Sequence, residues 1–363
     1  MSSTLITTPA ADGFYMPAEF VPHRGTWLLW PERGDTWRLG AKPAQQAFVA
    51  VATAIASSES VSVGVSQAQF TNARALLPEN VRVVEMSHND AWMRDMGPTC
   101  VVNKAGEVRG VDWMFNAWGG LQGGLYFPWD QDDLVAQKVL EVEGLVRYRA
   151  PLVLEGGAIH VDGQGTALVT EECLLNPNRN PDMDIDQIEL LLHEYLGVST
   201  VIWLGQGVYN DETDGHIDNL CCFIKLGEVA LTWTDNKRDP QYARSNDALR
   251  RLQHARDARG RKLKVNLLPQ PDPLYLTDEE AAGLDALSAG NQRFSGDRLA
   301  ASYVNFYIGN SVVIVPLLDK RHDRTVLSRL RRWFPKRKVI GIPAREIVLG
   351  GGGIHCITQQ IPR

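Results

Sequence analysis

Cysteine is scarce in this chain, five in 363 residues, and the five form no CxxC pair and no spacing typical of a metal site. An odd number cannot all pair, so a disulfide framework is not expected and any sulfur chemistry falls to a single thiol. Cys221 and Cys222 are adjacent, and on a strand they would face opposite sides of the sheet. Long apolar runs are missing too. VVIVPLL at 312–318 has the length of a core strand, far short of the ~18 residues that cross a bilayer. The opening MSSTLITTPAADGF has neither the charged start nor the apolar stretch that directs export, so a cytoplasmic protein with no membrane partner is expected. Positive charge is not in excess either. A net charge of −6 argues against nucleic acid as a partner. The basic cluster around Arg329, Arg331, Arg332 and Lys336 to Lys338 is read as a solvated helix end.

No Pro/Ser/Gly linker or charge block divides the chain, which points to one domain over 1–363. What is present is a repeat. Four hairpin-like stretches begin at Thr99, Gly157, Asp218 and Ala301, each pairing two strand-rich runs around a short turn. Helical patterns follow each one: DDLVAQKVLEVE, DIDQIELLLHEYL, PQYARSNDALRRLQHA and DRTVLSRLRRWF. Lone strands then close the units, as VRYRAPLVLE, VSTVIWLG, KLKVNLLP and KVIGIPA. A fifth unit is split between the chain ends: GTWLLW, a helix near 42–57 and VSVGVS at one, IHCITQQIP at the other. Five ββαβ units with one stitched from both termini predict a closed α/β-propeller with pseudo-fivefold symmetry, which leaves no free sheet edge. A doubly wound parallel sheet is the alternative that α/β alternation alone would suggest.

The informative residues stand just before each hairpin. Asp95 precedes the first, Glu155 the second, His216 and Asp218 the third, and Cys356 the last strand after Gly350 to Gly353. In a ring of repeats equivalent positions converge near the axis, so these five are expected around one pocket. Taken singly, Cys356 could be a buried small hydrophobe, and Asp95 and Glu155 could be turn or cap carboxylates. His216 and Asp218 are alternate residues and on a strand would face the same way; His160 and Asp162 repeat the spacing. Two such pairs raise the idea of a metal, but cysteine with carboxylates explains the set better, so no metal is expected. His160 and His355 are read as core or hydrogen-bonding histidines.

Three carboxylates, a histidine and a cysteine in one pocket would repel an anion and require a cation. A guanidinium is planar, permanently charged and suited to bidentate carboxylates. Held by Asp95 and Asp218, it presents an electrophilic carbon to the Cys356 thiolate, whose own pKa falls beside a cation. His216 can protonate the departing amine and then take a proton from water, with Glu155 holding the imidazole or gripping the substrate itself. The expected path forms an amidino-cysteine, releases ammonia and then adds water. It requires no cofactor.

The chain resembles the agmatine deiminases, within the guanidine-modifying superfamily, through DGFYMPAEF, RLGAKPAQQAF, NDAWMRDMGP, VDWMFNAWGG, LYFPWDQD, LEGGAIHVDG, NDETDGHIDN and IHCITQQIP. The resemblance implies a five-bladed α/β-propeller, with Cys356 as nucleophile, His216 as acid/base and Glu155 as its partner. It also implies Asp95 and Asp218 as guanidinium ligands, Trp92 lining the channel, and a homodimer or larger assembly. Agmatine is the implied substrate, giving N-carbamoylputrescine and ammonia; arginine, free or at a peptide terminus, is the alternative. A propeller that only binds ligands is the reading from a different class. One departure stands out: the family usually reads GGGNIHC, whereas here Gly353 replaces the asparagine. Restoring that asparagine is expected to raise turnover.

Overall fold

The computed structural model describes residues 3–286 and 293–363. Each predicted hairpin forms an antiparallel pair: Thr99–Val102 with Val108–Met114, His160–Val161 with Thr166–Thr170, Cys221–Lys225 with Glu228–Trp233, and Tyr307–Ile308 with Val312–Leu317. The second strand of each then pairs in parallel with the strand that follows the helix: Val146–Val153, Thr200–Leu204, Lys264–Pro269 and Lys338–Pro343. Parallel pairing needs a crossover, and the intervening helix supplies it.

The chain ends meet in the fifth sheet. Gln359–Pro362 runs antiparallel to His23–Leu29, which is parallel to Ser60–Val65. The described strands therefore make five separate sheets in a mixed α/β fold, not one doubly wound sheet. Two strands were not foreseen: Thr4–Leu5 on the edge beside Val146–Val153, and Val81–Glu85 beside Ser60–Val65.

The helices form where sequence supplies a face and an end. In Lys42–Ala56 a proline opens the first turn, and Ala44, Gln45, Phe48, Val51, Ala52 and Ile55 bury one stripe at helical spacing. Ile185–Leu196 starts at a capping box between Asp184 and Gln187 and stops at Gly197, φ +63°. A Cβ at Gly197 would sit 2.6 Å from the Phe14 carbonyl oxygen, so both the turn and the packing demand glycine. The basic cluster lies at the end of Asp323–Trp333, with Arg331 and Arg332 in the last turn, where they complement the helix dipole. Cys221 and Cys222 pack into different apolar clusters, on opposite faces of their strand. Val312–Leu317 is the central strand of its sheet and almost wholly buried.

Candidate active site

The joints before the hairpins do converge. Asp95 lies in the short helix Met93–Met96, Glu155 just ahead of the turn Gly156–Ala158, and His216 caps the helical turn Ile217–Leu220 that holds Asp218. The expectation that His216 and Asp218 project from a strand is therefore corrected. A four-residue turn places them, and strand pairing begins only at Cys221. Cys356 precedes the strand Gln359–Pro362.

The backbone at Gly157 ties the set together. Its N–H donates to Asp95 Oδ1 at 2.8 Å. A Cβ there would lie 2.5 Å from His216 Nδ1, 2.8 Å from Asp95 Oδ1 and 3.1 Å from Asp218 Oδ2. Gly157→Ala should therefore splay three site residues and lower kcat/KM by about 10²-fold or more, because displacements near 1 Å cost that much at a reacting centre. Steady-state assays beside a thermal melt check it; a variant with wild-type kcat/KM would contradict this packing.

His216 lies 3.4 Å from Glu155 Oε2 through Nε2 and 3.8 Å from Asp95 Oδ2 through Nδ1. Burial disfavours its charge, but Asp95, Cys173 and Glu155 outweigh that and raise its pKa well above the ordinary range, so the imidazolium persists. Glu155 is itself held below its ordinary pKa, against burial, by Arg179 and His216. Arg179 was missed in the sequence. Its Nε donates to Glu155 Oε1 at 2.7 Å, and its remaining nitrogens engage Trp118, Asn178, Thr213 and Asp214.

Burial pushes Asp95 up to about 6; His216 pulls against it, while Asp218 and Glu155 add to it. Asp95 Oδ2 accepts from Trp118 Nε1 at 3.0 Å. Trp118 is held at φ +60°, a region that a bulky residue rarely enters, and such strain gathers at functional sites. Asp218 stays ionised against burial because its Oδ2 accepts from His355 Nδ1 at 2.8 Å. His355 in turn donates from Nε2 to Glu19 Oε2 at 2.8 Å. Burial and Arg94 oppose charge on His355, yet Glu19 and Asp218 raise its pKa and keep both nitrogens protonated. His355 is thus a hydrogen-bonding histidine, as read from the sequence, and its task is to hold Asp218. Glu19 was not anticipated, although it lies in the motif MPAEF.

Cys356 is 5% exposed, with Sγ 3.2 Å from Asn305 Nδ2 and 3.6 Å from Asp218 Oδ2. Burial, with Asp218 and Asp95, pushes its thiol well above the ordinary range, while Gly353 N–H and Asn305 pull downwards. Trp92 stacks on Trp37 with ring centroids 4.9 Å apart and donates to Asp90 Oδ2 at 3.1 Å. It lines a small cavity with Asp95, Trp118, Asn219, Gly352 and Cys356. A second cavity, sharing Trp92 and Trp118, adds Asp35, Asp90, Tyr126 and Arg293.

Gly353 packs against Asn305. A Cβ at that position would fall 2.3 Å from Asn305 Oδ1 and 2.7 Å from its Cγ. The space an asparagine would need is already occupied, so Gly353→Asn should disturb the site.

Among the described residues, three groups bring metal-binding residue types within 4.8 Å: Glu155, Cys173 and His216; Glu19, His160 and His355; Asp272, Asp319 and His322. In the first two the carboxylates are already bound to cationic side chains, Arg179 and His355. In the third, Asp272 and Asp319 pair with Arg321 and His322.

A model of the Porphyromonas-type peptidyl-arginine deiminase family matches residues 15–362. The chain belongs to that family. Among deiminases of this kind, an agmatine deiminase of Ectopseudomonas mendocina is 56% identical, over 99% of this chain and 98% of that one. A second, from Pseudomonas aeruginosa, is 57% identical over 98% and 97%. A solved structure of the agmatine deiminase of Enterococcus faecalis is 49% identical, covers all of both chains and superposes with a TM-score of 0.97.

Proposed function

We propose that this protein hydrolyses agmatine to N-carbamoylputrescine and ammonia through a covalent intermediate on Cys356. The observation that carries the reading is the buried carboxylate of Asp218. Its Oδ1 has no hydrogen-bond partner among the described residues, while Oδ2 lies beside Cys356 Sγ. A buried, ionised acceptor without a donor is costly, and a guanidinium N–H resolves it. Asp95 faces the same point from another element. Agmatine is favoured over arginine because the second cavity is lined by Asp35 and Asp90. Its cation, Arg293, is already paired through Nε and Nη2 with Glu212 and the Gly350 carbonyl, which weakens it as a partner for an α-carboxylate. The agmatine deiminases among the relatives support the same substrate.

In the free protein the Cys356 thiol is held protonated. A bound guanidinium reverses that balance by placing positive charge beside the sulfur. Sγ bonds to the guanidinium carbon and His216 gives a proton to the departing nitrogen. The C–N bond breaks, and with the thiol's own proton added the nitrogen leaves as ammonium, His216 being left neutral. Water then adds to the amidino carbon with His216 as base, and cleavage of the C–S bond frees the ureido product. The sequence needs no redox partner.

The five sheets, one of them built from both chain ends by the pairing of Gln359–Pro362 with His23–Leu29, suit the blades of one α/β-propeller, and we treat 1–363 as a single catalytic domain. Five free, buried cysteines suit a reducing cytoplasm. No helix among the described residues is long and apolar enough to cross a membrane. Homo-oligomerisation rests on the family resemblance.

Ionised Asp95 is needed to grip a cation, so kcat/KM for agmatine should fall as pH drops through about 6, tenfold per unit below it. The sign follows from its raised pKa: protonation removes the binding charge. Stopped-time ammonia assays between pH 4.5 and 8 test this, and a flat acid limb would remove Asp95 from the substrate site. The activity itself is tested by ammonia release from agmatine, arginine and a peptide with terminal arginine. Release from agmatine alone is expected, and release from the arginine compounds instead would overturn the substrate assignment.

A further inference from the structure

Four of the five joints supply a residue to the proposed site; the remaining joint, before Tyr307–Ile308, holds Asn305. We propose that the Asn305 carboxamide is the hydrogen-bond donor that positions Cys356 and stabilises its thiolate, and that Gly353 is glycine because Asn305 needs its space. This rests on the assignment of Cys356 as nucleophile.

Asn305 is fully buried. Its Oδ1 accepts from His355 N–H at 2.9 Å and lies 3.4 Å from Cys356 N. Two backbone donors at the oxygen fix which end of the amide faces the sulfur, since an NH₂ group there would meet N–H groups head-on. Nδ2 is left 3.2 Å from Cys356 Sγ, nearer than Oδ1, which lies 3.5 Å from the same sulfur. The same side chain therefore anchors the backbone of the nucleophile and donates to its sulfur. A neutral donor suits this place, because Asp95 and Asp218 already oppose a negative sulfur and a third carboxylate would add to the repulsion.

Packing makes the arrangement exclusive. At Gly353 a Cβ would lie 2.3 Å from Asn305 Oδ1, 2.7 Å from Cγ and 3.0 Å from Cβ. Contact with three successive atoms cannot be relieved by turning the amide about its last bond. The side chain must shift, and its bonds to His355 and Cys356 are strained or lost with it. Residues 305 and 353 thus compete for one volume next to the sulfur.

The direct readout is the rate of alkylation of Cys356 by iodoacetamide as a function of pH, followed on its peptide by mass spectrometry. It needs no substrate, so it stands apart from the question of what the protein hydrolyses. Asn305→Ala should slow alkylation at neutral pH about tenfold or more, the worth of one hydrogen bond to a charged group. Asn305→Asp keeps the oxygen for both backbone donors but replaces the donor with charge, and should slow it further. A purely structural asparagine would instead be rescued by aspartate. Gly353→Asn should slow alkylation in the wild-type background and accelerate it in Asn305→Ala, where the emptied space admits the new amide. Thermal melts identify any variant that fails to fold, and the double variant then decides the matter. Equal alkylation in wild type, Asn305→Ala and Asn305→Asp, or a Gly353→Asn effect of the same sign in both backgrounds, would overturn the proposal. Loss of agmatine activity in the wild type, with the alkylation pattern intact, would strike the substrate reading alone.

Discussion

Cys356→Ala should lower kcat for agmatine by about 10⁴-fold or more, leaving any residual rate to binding and charge stabilisation alone. The reason is specific to this nucleophile. Cys356 carries the proposed covalent step, and among the five buried cysteines it is the one whose Sγ lies beside both Asp218 and Asn305. Water lacks the sulfur's polarisability and cannot replace it. The fold should tolerate the change, because the variant removes one atom from a residue already in an apolar setting. Agmatine binding should therefore survive, through Asp95 and Asp218, and can be read by calorimetry in the inactive protein. Ammonia release within tenfold of wild type would exclude the covalent role.

His216→Gln is expected to lower kcat by about 10²- to 10⁴-fold, the usual weight of a positioned acid/base group. In the free protein His216 already carries its proton, held there by Asp95 and Glu155. Glutamine has similar reach and can hydrogen-bond Glu155, but it can neither give a proton to the departing amine nor take one from water. Both half-reactions should slow. The acid limb of kcat/KM assigned to Asp95 should shift upward, since the imidazolium that pulls the Asp95 pKa down is replaced by a neutral group. The rate loss is the decisive readout. A rate loss below fivefold would assign the proton transfer to another group.

The site was largely legible in sequence because the repeat places chemistry at a fixed structural joint. Asp95, Glu155, His216 and Cys356 each stand before a strand or hairpin, and the structure gathers them. The same rule would have found Asn305, had the fourth hairpin been started at Tyr307 instead of Ala301. Other partners gave no such signal. Glu19 reaches His355 across 336 residues, and neither position belongs to the repeat's periodicity. Arg179 lies in an irregular segment, where no spacing announces a side chain that turns back to Glu155. The turn Ile217–Leu220 is a single helical turn, too short for the 3.6-residue period to compete with the alternation of His216 and Asp218. The packing of Gly353 gave no signal for a different reason. An absent side chain reads as a loss, whereas here the volume belongs to a residue 48 positions earlier in the chain, in contact only through the fold.

The most direct test of the central claim is acid-quenched mass spectrometry of the protein turning over saturating agmatine, run beside His216→Gln. The account predicts an adduct on the Cys356 peptide equal to agmatine less ammonia, forming and decaying more slowly in the variant. Unmodified Cys356 in both proteins while ammonia accumulates, or an adduct on any other residue, would contradict it.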